Sequence, residues 1–225
     1  MQAEPTTLAT FLAQLRRVAL IARLRRDLHV QELIEIGDAL LAAPVLVVEI
    51  AVDVAEGVAT IGEFRRRYGE HLLVGAAAVT TVAQMQAARD AGAHFFALPA
   101  LEAKLLRFAR EEGLFCLPHI KAPVEARLAH LEGCPAVSIT ASALFTYPAE
   151  QWPLAVPLIA SEVEDSATVT ACHAAGAAGV RVESVLLPTT AWSHAELITT
   201  ARRLRRSWEG RQNDDRRQTT DDRFS

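Results

Sequence analysis

Eight short apolar runs punctuate the chain at nearly regular intervals: "VALIAR" (18–23), "VLVVEI" (45–50), "LLVGAA" (72–77), "HFFALP" (94–99), "LFCLP" (114–118), "AVSIT" (136–140), "VPLIA" (156–160) and "GVRVES" (179–184). Their starts lie 20 to 27 residues apart. That interval accommodates a strand, a loop, a helix and a second loop. The runs are continuous rather than alternating, as in parallel strands covered on both faces. Helical patterns such as "VQELIEIGDALLAA" (30–43), "TVAQMQAARDAG" (81–92) and "SATVTACHAAGA" (166–177) fill the intervals. Gly92, Gly113, Gly133, Gly176 and Gly179 fall just before strands, where helix C-caps and helix-to-strand turns belong. A doubly wound open sheet satisfies the same pattern, but eight similar units favour closure, so an α/β, (β/α)8 TIM barrel is predicted.

The two ends depart from the repeat. In "TTLATFLAQL" (6–15), Leu8, Phe11, Leu12 and Leu15 share one helical face, which predicts an N-terminal helix across the lower rim. "SHAELITTARRLRRSW" (193–208) reads as the last helix. A single barrel domain is therefore expected over residues 1–208, followed by a disordered polar tail over 209–225. A net charge of −4 offers no attraction to nucleic acid or an anionic membrane, and no apolar run is long enough to span one. With no leader-like opening, a soluble cytoplasmic protein is expected. Cys116, Cys134 and Cys172 lack metal-type spacing, and Cys116 sits in an apolar run as a reduced core thiol would.

In such barrels the ligand site lies at the C-terminal ends of the strands. The polar residues falling there are Arg23, Glu49, Asp53, His119, Lys121, Ser138, Thr140, Ser161, Glu162 and Glu183. Glu49 is the most informative, because it closes a run that would otherwise be fully apolar. A lone buried carboxylate is costly unless paired or neutralised. It therefore reads either as a structural partner of Arg23 or as a general acid/base. The stretch "PLIASEVED" (157–165) ends a strand in acids, of which Glu164 and Asp165 suit the start of the following helix. His94, at the opposite end of the barrel, reads as structural. Glu49, Asp53, His119, Glu162 and Glu183 also form a conceivable divalent-ion site, although no short ligand motif supports one. No metal and no cofactor is expected.

Several signatures resemble the bacterial class I aldolases acting on 2-keto-3-deoxy-6-phosphogluconate and 4-hydroxy-2-oxoglutarate, over roughly residues 6–208. "VALIAR" is similar to that family's first strand, which ends in arginine. "VVEIAVD" is similar to "LEVTLR", with Glu49 in the place of the acid/base glutamate and Asp53 in that of an arginine. "LLVGAAAV" resembles "IVGAGTV", "HFFALPAL" resembles "QFAISPGL", "CLPHIKAPVE" resembles "LIPGISTPSE", and "GAAGVRVESVLL" resembles "GADAVGVGSALL". The resemblance implies a carbon–carbon lyase forming a Schiff base with a 2-oxo acid such as pyruvate, in a homo-oligomer, commonly a trimer. The chain departs from the pattern at the site. Ser138, in "VSITAS", stands where "LKFFPA" carries the imine-forming lysine. Ser161 and Glu162 replace glycines of the phosphate-binding "PTGGI", and Glu183 replaces a glycine of the last phosphate loop. If imine chemistry survives, Lys121 would carry it, with Glu49 moving the proton. Arg23, His119, Ser138, Thr140, Ser161, Glu162 and Glu183 would contact the substrate. The alternatives are a non-catalytic binding or assembly barrel, and an enzyme acting on a non-phosphorylated substrate in an acidic pocket.

Overall fold

The computed structural model describes residues 8–24, 29–153, 156–187 and 193–210. Eight parallel strands close into a barrel in chain order: β1 (Leu20–Arg23), β2 (Val47–Ala51), β3 (Leu73–Ala77), β4 (Phe95–Leu98), β5 (Cys116–Ile120), β6 (Val137–Thr140), β7 (Leu158–Ser161) and β8 (Gly179–Val182). β8 pairs with β1 through Ile21 and Arg181, which completes the ring. The predicted (β/α)8 architecture is the observed one. Helices α1 (Leu8–Val18), α2 (Val30–Ala42), α3 (Gly57–Tyr68), α4 (Val82–Asp90), α5 (Ala103–Glu111), α6 (Pro123–Leu131), α7 (Ala141–Thr146), α8 (Ser166–Ala174) and α9 (His194–Trp208) complete the succession. The polar tail lies outside the described residues from position 211 onward.

Two hydrophobic clusters follow from the twofold period of a strand, whose successive side chains point to opposite faces. The outward residues Ala22, Val48, Val74, Phe96 and Ile139 join the core between sheet and helices. The inward residues Ile21, Val47, Leu73, Phe95, Leu117 and Ile159 fill the lower lumen together with Phe11 and Leu15 of α1. The Phe11 ring packs edge-to-face against Phe95 and tilted against Phe115, with centroids 5.2 Å and 4.9 Å apart. The N-terminal helix thus seals the lower end of the barrel, because its apolar face supplies the side chains that the short strands lack. Gly75 is dictated by the same packing: a Cβ there would lie 2.2 Å from the Phe95 ring. All three cysteines are free and buried, and burial raises each thiol above its ordinary pKa.

His94 sits at this sealed end, where its Nδ1 accepts the Val74 N–H at 2.9 Å. Burial, reinforced by the charge of Arg65, lowers its pKa to about 4, so the ring is neutral near pH 7. Its structural role follows from that bond.

Candidate functional site

The period that builds the lower layer also builds the site. Two residues beyond Ile21, Val47, Leu117 and Ile159, the strands carry Arg23, Glu49, His119 and Ser161. Ser138 follows Ala136 in the same manner. A dry apolar interior therefore gives way, two residues further along these strands, to polar side chains, of which Arg23, His119 and Ser161 reach a cavity of about 450 Å³. Arg23, His119, Ser161, Glu162, Arg181 and Glu183 line it, with Glu164 and Ser184, and an apolar wall includes Ala97, Leu98, Pro99 and Val163.

Glu49 has no solvent exposure and is held by Arg181, whose Nη2 donates to Oε1 at 2.8 Å. This corrects the pairing expected with Arg23. Arg23 and Glu49 are register neighbours on β1 and β2, but the Arg23 guanidinium turns instead to Glu183, 4.0 Å away. In an eight-stranded barrel each inner layer is built by alternate strands. β2 and β8 therefore contribute to one level, and the intervening β1 to another. Arg181 was not among the residues singled out from the sequence. Its signal was the one that marked Glu49, a charged residue between two apolar neighbours, Val180 and Val182. Glu49 Oε2 and Arg181 Nε are buried with no partner among the described residues.

His119 Nδ1 lies 3.3 Å from Ser138 Oγ, which joins a half-buried imidazole to a fully buried hydroxyl. Burial lowers the pKa of His119, and the Arg181 charge lowers it further, while Glu162 acts in the opposite sense. Ser161 Oγ donates to the Ile139 carbonyl at 3.1 Å, and Thr140 caps α7 by accepting the Ala143 N–H at 3.1 Å. Thr140 and Ser138 do not line the cavity, and neither does Asp53, which is exposed.

Lys121 is exposed beyond β5 and is not part of the lining; its backbone N–H donates to the Glu125 carboxylate. Asp165 caps α8, accepting the Thr168 N–H at 2.7 Å, and these bonds hold its carboxyl below the usual range. Glu164, expected to share that capping, faces the cavity instead. Glu162 takes a left-handed backbone with φ of 57°, as does Ala78 with φ of 58°, and both line the cavity. Among the described residues, no group of three or more His, Cys, Asp or Glu side chains gathers as metal ligands. No described helix is long and apolar enough to cross a membrane.

A closed parallel barrel with its polar cavity at the strands' C-terminal ends is the arrangement of (β/α)8 proteins with a ligand site at that face. A 4-hydroxy-2-oxoglutarate aldolase/2-deydro-3-deoxyphosphogluconate aldolase from TTHB1 is similar in fold, at 22% identity and a TM-score of 0.75 over 88% of this chain and 98% of that one. A KDPG aldolase from Legionella pneumophila, with pyruvate captured as a covalent carbinolamine, is 15% identical, with a TM-score of 0.71 over 91% and 98%. A cube-shaped protein cage designed by fusing symmetric oligomeric domains is 23% identical, with a TM-score of 0.76 over 88% and 75%. None of the curated proteins matches the chain. The family model for KDPG and KHG aldolase matches residues 12–151, more than half of the chain. The chain belongs to the KDPG and KHG aldolase family.

Proposed function

We propose that this aldolase-family barrel binds a small, non-phosphorylated molecule at the upper end of its strands and does not run a lysine-imine lyase reaction. The observation that carries this reading is the lining of the cavity. The chain has two lysines, Lys104 on α5 and Lys121, and neither belongs to it. A carbinolamine, as captured with pyruvate in the Legionella relative, forms only on an amine. By resemblance the imine-forming position is Ser138, whose hydroxyl is buried beside His119. Glu49, the counterpart of the acid/base glutamate, is bound to a guanidinium.

In this reading phosphate recognition is lost on electrostatic grounds. Backbone N–H groups approach phosphate where glycines leave room. Here Glu162 puts a carboxylate at the end of β7, repelling a phosphate by about 1–4 kcal/mol at contact separations, and Glu183 at the end of β8 engages Arg23, a cation that would otherwise face the anion. A second reading, an enzyme moving protons on a non-phosphorylated substrate, is favoured by the neutral His119 ring in the cavity wall, hydrogen-bonded to Ser138. In either case the protein is read as cytoplasmic and as a homo-oligomer, a trimer by resemblance. Val124, Leu128 and Leu131 on one face of α6 are 60%, 51% and 78% exposed, the kind of apolar stripe that a second copy covers.

Borohydride reduction in the presence of pyruvate, read by intact mass, tests the central claim. No adduct is expected. A stoichiometric adduct mapped to Lys121 overturns it, because the lysine would then reach the bound substrate.

A further inference from the structure

The cavity sorts its charges by depth. Arg181 lies deep, with its side chain only 8% exposed, and it donates one N–H to Glu49 and none elsewhere among the described residues. Its planar fork has further donors, and Nε is buried without a partner. Arg181 also lines the cavity, and a guanidinium with donors to spare is suited to an oxyanion such as a carboxylate.

At the rim the chemistry reverses. Glu183 is engaged with Arg23, but Glu162 and Glu164 line the cavity with no Lys or Arg partner among the described residues. Glu162 holds its carboxylate there from a left-handed backbone, φ 57°, which glycine would adopt without strain. Strained side-chain-bearing positions cluster at ligand sites. Ala97, Leu98, Pro99 and Val163 add an apolar wall. A volume of about 450 Å³ admits a small molecule.

From this arrangement we infer that the cavity binds a zwitterionic amino acid, its carboxylate on Arg181, its ammonium between Glu162 and Glu164, and its side chain along the apolar wall. The inference rests on the reading of the cavity as a site for a non-phosphorylated molecule, and names the class of that molecule. Phosphate monoesters are excluded by the same layout, since they carry up to two negative charges and no cation for the rim.

Titration calorimetry on the full chain decides it. Each standard L-amino acid is titrated at millimolar concentration. For the tightest binder, the carboxylic acid lacking the amine and the amine lacking the carboxylate follow. The amino acid should bind at least about tenfold more tightly than either half, the scale of one charge-assisted bond. Glu162→Gln should weaken the amino acid about tenfold while leaving the des-amino acid unchanged, a split that a merely structural role does not produce. Arg181→Lys, which keeps the charge, should weaken both carboxylate-bearing probes. Equal affinity for the amino acid and its des-amino analogue overturns the inference, and so does the absence of binding by any amino acid. Inorganic phosphate and 2-keto-3-deoxy-6-phosphogluconate are titrated in parallel. Tight binding of the phosphosugar sinks the underlying reading as well, whereas binding of the des-amino acid alone sinks only the zwitterion.

Discussion

Replacing Arg181 with methionine isolates the buried ion pair. Glu49 is fully buried, its Oε1 has Arg181 as its partner and its Oε2 has none among the described residues. Arg181→Met therefore leaves a carboxylate in the lumen with no compensation. Breaking a buried pair from one side costs about 3–5 kcal/mol. For a chain of this size that corresponds to a fall in Tm of about 6–20 °C. Glu49→Leu is the gentler single change. The stranded guanidinium lines the cavity and can reach water there, so a cost of about 1–3 kcal/mol is expected. The double variant Glu49→Leu, Arg181→Met removes both charges and keeps the volume near native. Its stability should fall within about 1 kcal/mol of the wild type, giving a large non-additivity. Urea unfolding of all four proteins, with m checked for constancy, measures the cycle. An Arg181→Met cost below about 1 kcal/mol, or a double variant carrying the sum of both losses, would refute the assignment of a desolvated pair.

Three further outcomes follow from local geometry. Glu162→Gly should leave stability unchanged or raise it by up to about 1 kcal/mol, since relief of left-handed strain slightly exceeds the entropy cost of glycine; a loss above about 1 kcal/mol in thermal melts contradicts the strained backbone. His94 is neutral in the fold down to about pH 4 but charges near 6.5 when unfolded, so the unfolded state binds more protons between these values. Stability is thus intact above 6.5 and falls by about 3 kcal/mol as pH drops to 4, and His94→Gln should flatten that limb of a pH–urea midpoint series. If the proposed homo-oligomer forms through α6, Leu128→Glu with Leu131→Glu should leave the circular dichroism spectrum intact and lower the mass by light scattering to that of one chain; an unchanged oligomer excludes the α6 face as its interface.

The barrel was legible because it is periodic at two scales. The repeat of apolar runs gave the number of strands, and their continuity gave burial on both faces. The N-terminal helix was legible for a related reason: Phe11 and Leu15 had to find an apolar partner, and the lower lumen is the one open end lined with aliphatic and aromatic side chains. The candidate site was legible residue by residue but not pair by pair. Glu49 stood out as a charge in an apolar strand, yet proximity along the sheet suggested the wrong cation. Layers in the lumen are shared by alternate strands, so the partner came from β8, 132 residues away. Glu164 was misread because acids early in a helix have a ready explanation in the helix dipole; Asp165 alone meets that need as the cap. Lys121 stood out for its chemistry, but no local pattern reveals whether a loop side chain turns inward or to solvent.

The ion pair itself calls for an explanation beyond stability. Replacing such a pair with packed aliphatic side chains is commonly neutral or favourable, so it contributes little to holding the barrel closed. What an aliphatic pair cannot do is fix a guanidinium in one orientation. Glu49 anchors Nη2 of a residue that also lines the cavity. On the proposed reading the carboxylate orients a binding group instead of acting on a substrate, in keeping with its complete burial. Stability and binding should therefore separate in the double variant Glu49→Leu, Arg181→Met. It should unfold at nearly the wild-type urea concentration and yet lose amino-acid binding at millimolar levels, whereas Glu49→Gln, which keeps an acceptor for Nη2, should retain most of it. A double variant that still binds with wild-type affinity would show that the pair is a packing element and that the cavity recognises its ligand from the rim alone.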